Sequence, residues 1–107
     1  MRPFKAVLAG LVGAVVLSSV ASADIDKPRQ TELLNFLEQD CGSCHGLKRK
    51  GGLGTPLTPE NIAHLDDEMV ADIILNGVPN TAMPPWKALI SEEEAHFLIK
   101  HLREGLN

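Results

Sequence analysis

Tyrosine is absent from the 107 residues, tryptophan occurs once, phenylalanine three times and cysteine twice. Phe4 belongs to an N-terminal apolar stretch, so Phe36, Trp86 and Phe97 are the aromatics left for a folded interior. A domain with so little to bury ordinarily needs disulfides, a metal or a large bound group. The two cysteines stand three apart, and a disulfide between them would close a trivial loop and stabilise little. Basic residues are also short, 10 against 14 acidic, which excludes the basic face that nucleic-acid phosphates require. After residue 23 no apolar run approaches the roughly 20 residues of a membrane span. Strand alternation, internal repeats and low-complexity segments are missing, and the length allows one small domain.

At the N-terminus, Arg2 and Lys5 precede an uncharged run from Ala6 to Val20 and a small-residue ending, Ala21-Ser22-Ala23. The pattern is that of a secretory signal peptide over residues 1–23, with the folded domain over 24–107. An uncleaved anchor is the competing reading; Ser18, Ser19 and Ser22 weaken its apolar end. Of the 107 residues, removing 23 leaves 84, with 8 basic and 14 acidic side chains and a formal charge of −6. That charge disfavours tight self-association and points to a monomer.

Along the folded part, Asp24 to Gln30 reads as a loose polar lead, with order expected from Thr31. Leu33, Phe36, Leu37 and Cys41 fall on one face of a helix. Leu47 to Pro59 has loop composition, including Gly51, Gly52 and Gly54. Thr58 as cap, Pro59 and Glu60 then start a second helix. Its stripe is Ile62, Leu65, Met69 and Ile73, widened by Val70 and Ile74, with a break allowed at Asp66 and an end at Asn76-Gly77. Val78 to Trp86 contains three prolines and is a stiff loop. Ser91 and Glu94 form a capping box for a last helix whose buried face is Ala95, Leu98, Ile99 and Leu102, closed by Gly105. The expected fold is all-α, three to four helices around a prosthetic group.

The group that would fill the centre is indicated by Cys41-Gly42-Ser43-Cys44-His45, a C-x-x-C-H run that reads as a c-type haem attachment site. Two thiols one helical turn apart can add across the vinyl groups of one porphyrin edge, and the next residue, His45, is the candidate proximal iron ligand. A thioredoxin-like redox pair, half of a zinc site and a structural disulfide are the competing readings. The first should sit in a βαβ pattern and the second should have further Cys or His at ligand spacing.

For the sixth position of the iron the candidate is Met83, because a weak thioether needs a backbone that cannot swing it away, and Pro84 and Pro85 follow directly. Met83 as core filler is the alternative; that role suits Met69, which lies on a helical stripe. Trp86 is read as packing near the haem. His64 and His96 read as surface residues, and His101 as in part structural. Lys48-Arg49-Lys50 is the one basic run, either a solvated face or a docking patch for an acidic redox partner.

Taken together, Cys41-Gly42-Ser43-Cys44-His45-Gly46, Gly51-Gly52-Leu53-Gly54, Met83-Pro84-Pro85-Trp86 and the terminal amphipathic helix make the chain resemble class I cytochromes c. More narrowly, it is similar to the NirC-type monohaem cytochromes of nitrite-reductase gene clusters. The resemblance implies a small class I cytochrome c fold and a periplasmic electron carrier without catalytic residues. Cys41 and Cys44 would be thioether anchors of one haem c, and His45 and Met83 its axial ligands. It further implies periplasmic redox partners: donation to cd1 nitrite reductase or, alternatively, a redox part in making haem d1. A haem enzyme or gas-binding protein with a labile sixth ligand is a third reading. One departure is that such domains commonly carry Tyr in the last helix about where His101 stands, which bears on helix packing.

Overall fold

The computed structural model describes residues 10–14 and 24–106, and every regular element among them is helical. The leader expected over 1–23 lies outside the described residues except for 10–14. Helix α1, Lys27–Phe36, runs on through a π-helical turn, Leu37–Cys41, into α2, Gly42–His45. Then come α3, Pro59–Ile62, α4, Asp67–Asn76, and α5, Glu92–Glu104. With 27–45 as one continuous helical stretch there are four helical units among the described residues, within the range expected. No helix among the described residues is long and apolar enough to cross a membrane.

Order begins earlier than Thr31. Asp26 is extended, its carboxylate accepts from the Arg29 N–H at 2.8 Å, and Pro28 sits in the first turn of α1. The polar, proline-containing composition that reads as a loose lead is equally the composition of a capped helix start. Further along, the π-helical turn takes up one extra residue and rotates the helix beyond it. Leu33 and Leu37 are 1% and 3% exposed, Gly42 turns fully inward, and Cys41 stays half-buried.

Asp66 does break the middle helix: its carboxylate accepts from Met69 N at 2.8 Å and caps α4. Thr58 occupies the cap position of α3, but its hydroxyl accepts from the Asn61 side chain at 3.0 Å and not from a backbone N–H. Met69 is not core filler. It is 49% exposed, while Val70, Ala71 and Ile74 are the buried face of α4. A 3.6-residue period defines an apolar stripe but not which flank of it meets the protein, and here the inner flank lies one residue further on.

Helix α5 is the centre of the bundle, packed on α4 and touching α1 and α3. Both halves of its capping box form, Glu94 N to Ser91 Oγ at 3.1 Å and Ser91 N to Glu94 Oε1 at 2.9 Å. Ala95, Leu98, Ile99 and Leu102 are 0–3% exposed, and Gly105, at φ 78°, ends the helix in a conformation that favours glycine. Two arginines tie the other helices to it. Arg29 of α1 donates to both Glu94 oxygens and to the Leu89 carbonyl. Arg103 reaches the carbonyls of Ile62 at 2.9 Å and Leu65 at 2.6 Å and the Asp67 carboxylate at 3.0 Å, which ties the segment after α3 to α5. The Arg29 guanidinium holds the Glu94 carboxyl below its ordinary range.

Leu98→Ala, emptying a site 1% exposed, should cost about 2–5 kcal/mol in urea unfolding; a change near zero would contradict its central place. Glu94→Gln keeps a capping-box residue and removes the charge. Because the folded carboxyl titrates low, the pairing stabilises above the unfolded value of about 4.3 and is lost as pH falls through the folded value. Glu94→Gln should therefore weaken the protein at pH 7, and its deficit should shrink as pH falls below the unfolded value of about 4.3; a deficit that does not change with pH would contradict the pairing.

Candidate haem-binding site

The functional side chains stand at the end of the long helical stretch. Cys41 and Cys44 are both free thiols and both half-buried, with Ser43 between them bonded to the Asp40 carbonyl at 2.8 Å. Burial pushes the Cys41 thiol up to about 11, with Asp40 adding to the rise and Arg49 opposing it. An attacking thiol of a disulfide exchanger needs the reverse, a lowered value, and no strand among the described residues supplies the βαβ setting of that reading. Nor does a zinc set form: among the described residues the carboxylate and histidine cluster with ligand spacing is Glu68, Glu92 and His96, remote in sequence from the thiols and without a cysteine.

The loop after α2 wraps the end of that helix. Gly54 N donates to the Cys44 carbonyl and Gly51 N to the His45 carbonyl, each at 2.8 Å, so two open acceptors of the helix end are satisfied. Gly46 turns the chain at φ 90°. A Cβ on Gly52 would lie 2.7 Å from the Cys44 carbonyl oxygen, and one on Gly54 would lie 2.7 Å from His45 Cε1 and Nδ1. The loop can therefore press flat on the imidazole only with glycine there. It delivers the Thr55 carbonyl to 2.6 Å from His45 Nδ1. A carbonyl only accepts, so Nδ1 carries the proton and Nε2 keeps its lone pair. Thiols on one helical turn, followed by an imidazole with its outer nitrogen unprotonated, fit a covalently held haem.

Met83 and Trp86 sit on the loop between α4 and α5. Gly77, at φ 69°, ends α4, and a Cβ there would strike Met83 O at 2.6 Å and Pro84 C at 2.9 Å, so this loop also closes on a glycine. Trp86 N and Lys87 N bond the Ile74 and Leu75 carbonyls at 3.0 and 3.2 Å. The Trp86 ring meets Phe36 edge to face at 4.9 Å, joining the methionine loop to α1. Met83 is half-buried, and among the described residues no hydrogen bond joins its loop to His45.

The remaining histidines divide. His64 is exposed as expected. His96 is half-buried, with Nε2 3.4 Å from Glu68, because it lies at the seam of α4 and α5 and not on the open face. His101 meets Phe97 edge to face, ring centres 4.7 Å apart, a packing role. The basic run is not one patch: Lys48 and Lys50 are exposed, but Arg49 turns inward and donates to the His101 carbonyl at 3.3 Å. Thr55, Arg29, Arg103 and the anchoring role of Arg49 had no sequence signal, since each depends on a backbone carbonyl or a partner far along the chain.

A protein-family description, "Cytochrome C oxidase, cbb3-type, subunit III", matches residues 29–102. Cytochrome c55X of Paracoccus denitrificans (strain Pd 1222) is 48% identical over 77 residues, 72% of this chain and 75% of that protein. Among solved structures, the c-type cytochrome NirC superposes with a TM-score of 0.73 at 46% identity, covering 75% of this chain and 94% of that one. The dihydro-haem d1 dehydrogenase NirN, solved in complex with DHE, gives a TM-score of 0.64 at 30% identity, over 68% of this chain but only 16% of that one. The helical fold, the thiol pair and the held imidazole thus stand where these matches fall, and the chain belongs to this family of c-type cytochromes, a homologue of c55X and NirC with covalently attached haem c as its cofactor.

Proposed function

We propose that this electron-transfer cytochrome carries one electron on a haem held by Cys41 and Cys44 and ligated by His45 and Met83. We further propose that it works in the periplasm after loss of residues 1–23, as electron donor to cd1 nitrite reductase. The observation that carries the reading is His45, with Nδ1 committed to Thr55 at 2.6 Å and Nε2 free. The homology to NirC and c55X supports the nitrite-reductase setting.

Haem c supplies the one-electron centre. The thiols fix its edge to a helical turn that the glycine loop immobilises, and the Thr55 carbonyl orients the imidazole and raises its basicity. Met83 offers a soft sulfur, which favours the reduced form and raises the potential. Closure on Gly77 and the two following prolines restrain its backbone, so both ligands can remain through the redox change. Val78 of this loop is 37% accessible and adds apolar surface. A carrier needs little rearrangement, whereas an enzyme needs an open position on the iron.

A second reading rests on the likeness to a domain-sized part of the dihydro-haem d1 dehydrogenase. In it the same carrier would exchange electrons with a protein that makes haem d1.

Carbon monoxide separates the carrier from an enzyme. The ferrous wild-type protein should bind it slowly, limited by Met83 leaving, and Met83→Ala should bind it at least about tenfold faster, a barrier change of about 1.4 kcal/mol. Prompt binding by the wild type would overturn fixed methionine ligation.

A further inference from the structure

We propose that Arg49 is a potential-setting residue: its guanidinium is a positive charge in the loop that covers His45, tied to the His101 carbonyl and without an ion-pair partner among the described residues, and it raises the reduction potential of the haem that the preceding helix carries. The inference rests on reading Cys41, Cys44 and His45 as the haem-binding residues, and it concerns a residue with no part in holding the group.

The position of the charge is determined by its backbone as well as its side chain. Arg49 is one of two non-glycine residues with positive φ among those described, at 60°, a conformation that a side-chain-bearing residue adopts only where its surroundings hold it. Arg49 N donates to Gly46 O at 2.8 Å and its carbonyl accepts from Leu57 N at 2.9 Å, so both sides of the residue are pinned within the loop that covers His45. The side chain then spans to α5, with Nη1 on the His101 carbonyl at 3.3 Å.

Its charge is not neutralised. Arg29 pairs with Glu94 and Glu32, and Arg103 with Asp67, but Arg49 makes no ion pair among the described residues. Burial lowers its own pKa from the ordinary arginine value, and its field opposes the rise of the Cys41 thiol, which places the charge within electrostatic reach of that side chain. Lys48 and Lys50 on either side are exposed, and water and salt screen them.

Reduction adds one electron and lowers the charge of the haem site by one. A positive charge nearby disfavours the oxidised form more than the reduced form, and a partly desolvated one does so more strongly than a solvated one. Arg49 therefore pulls the potential up in the same direction as a thioether ligand. The carbonyl it bonds is neutral and leaves this field intact.

The test is spectroelectrochemical titration of the holoprotein, with Arg49→Gln, Arg49→Met, Arg49→Lys, Lys48→Gln and Lys50→Gln beside the wild type. At the applied potential where the wild type is half reduced, Arg49→Gln and Arg49→Met should raise the oxidised-to-reduced ratio by about threefold or more, and high salt should not abolish the shift. Arg49→Lys, which keeps the charge, and the two exposed lysine variants should stay near wild type. A shift in Arg49→Gln no larger than in Lys48→Gln would overturn the proposal. So would an Arg49→Lys shift as large as Arg49→Gln, which would mark loss of packing and not of charge. If the wild type holds no covalent haem, the underlying reading of the cysteines fails; normal attachment with an unmoved potential defeats the role of Arg49 alone.

Discussion

The hydrogen bond from His45 Nδ1 to the Thr55 carbonyl fixes which nitrogen of the imidazole faces outward, and it exists because a ten-residue excursion folds back flat on the ring. That excursion needs glycine at 52 and 54, where any side chain would collide with the Cys44 carbonyl or with the imidazole itself. The same loop spends its own N–H groups on the carbonyls that end α2, so the element that aims His45 also caps the helix that carries the thiols. Helix end, loop and imidazole tautomer are one constraint. α5 then holds the loop from behind through Arg49 and α3 through Arg103.

The loop that carries Met83 repeats the device with different parts. Gly77 admits the Met83 and Pro84 backbone at a distance that excludes a Cβ, and the carbonyls at the end of α4 accept from Trp86 and Lys87. Phe36 and Trp86 join this loop to the helix bearing the cysteines. Two glycine-gated loops are thus each docked on a helix end. The protein core is mainly aliphatic and centred on α5, and the aromatic residues lie at its margin.

Much of this is legible in the sequence, because local chemistry determines it. The capping box of α5, the break at Asp66, the glycine stops at 77 and 105 and the buried set Ala95, Leu98, Ile99 and Leu102 depend on neighbours within one or two turns. The departures share a cause. Asp24 to Gln30 has the composition of either a lead or a capped start, and only the tie from Arg29 to Glu94, 65 positions away, selects the second. Periodicity puts Met69 on the wrong flank of its stripe because it does not say where the neighbouring helix lies. Charge alone groups Arg49 with two lysines, although its left-handed backbone turns it inward. Thr55 carries no signal because its contribution is a backbone oxygen.

Backbone contacts thus restrain both the His45 loop and the Met83 loop, and on the proposed ligation they do not depend on oxidation state, which suits rapid electron exchange. The chain is acidic overall, and Lys48 and Lys50 are exposed on the loop that covers His45. The most direct measurement is anaerobic stopped-flow mixing of the reduced protein with oxidised cd1 nitrite reductase over a salt series, following haem c oxidation. Fast transfer that slows as salt rises is the predicted result. Transfer too slow to sustain turnover of the reductase would contradict donation to that enzyme.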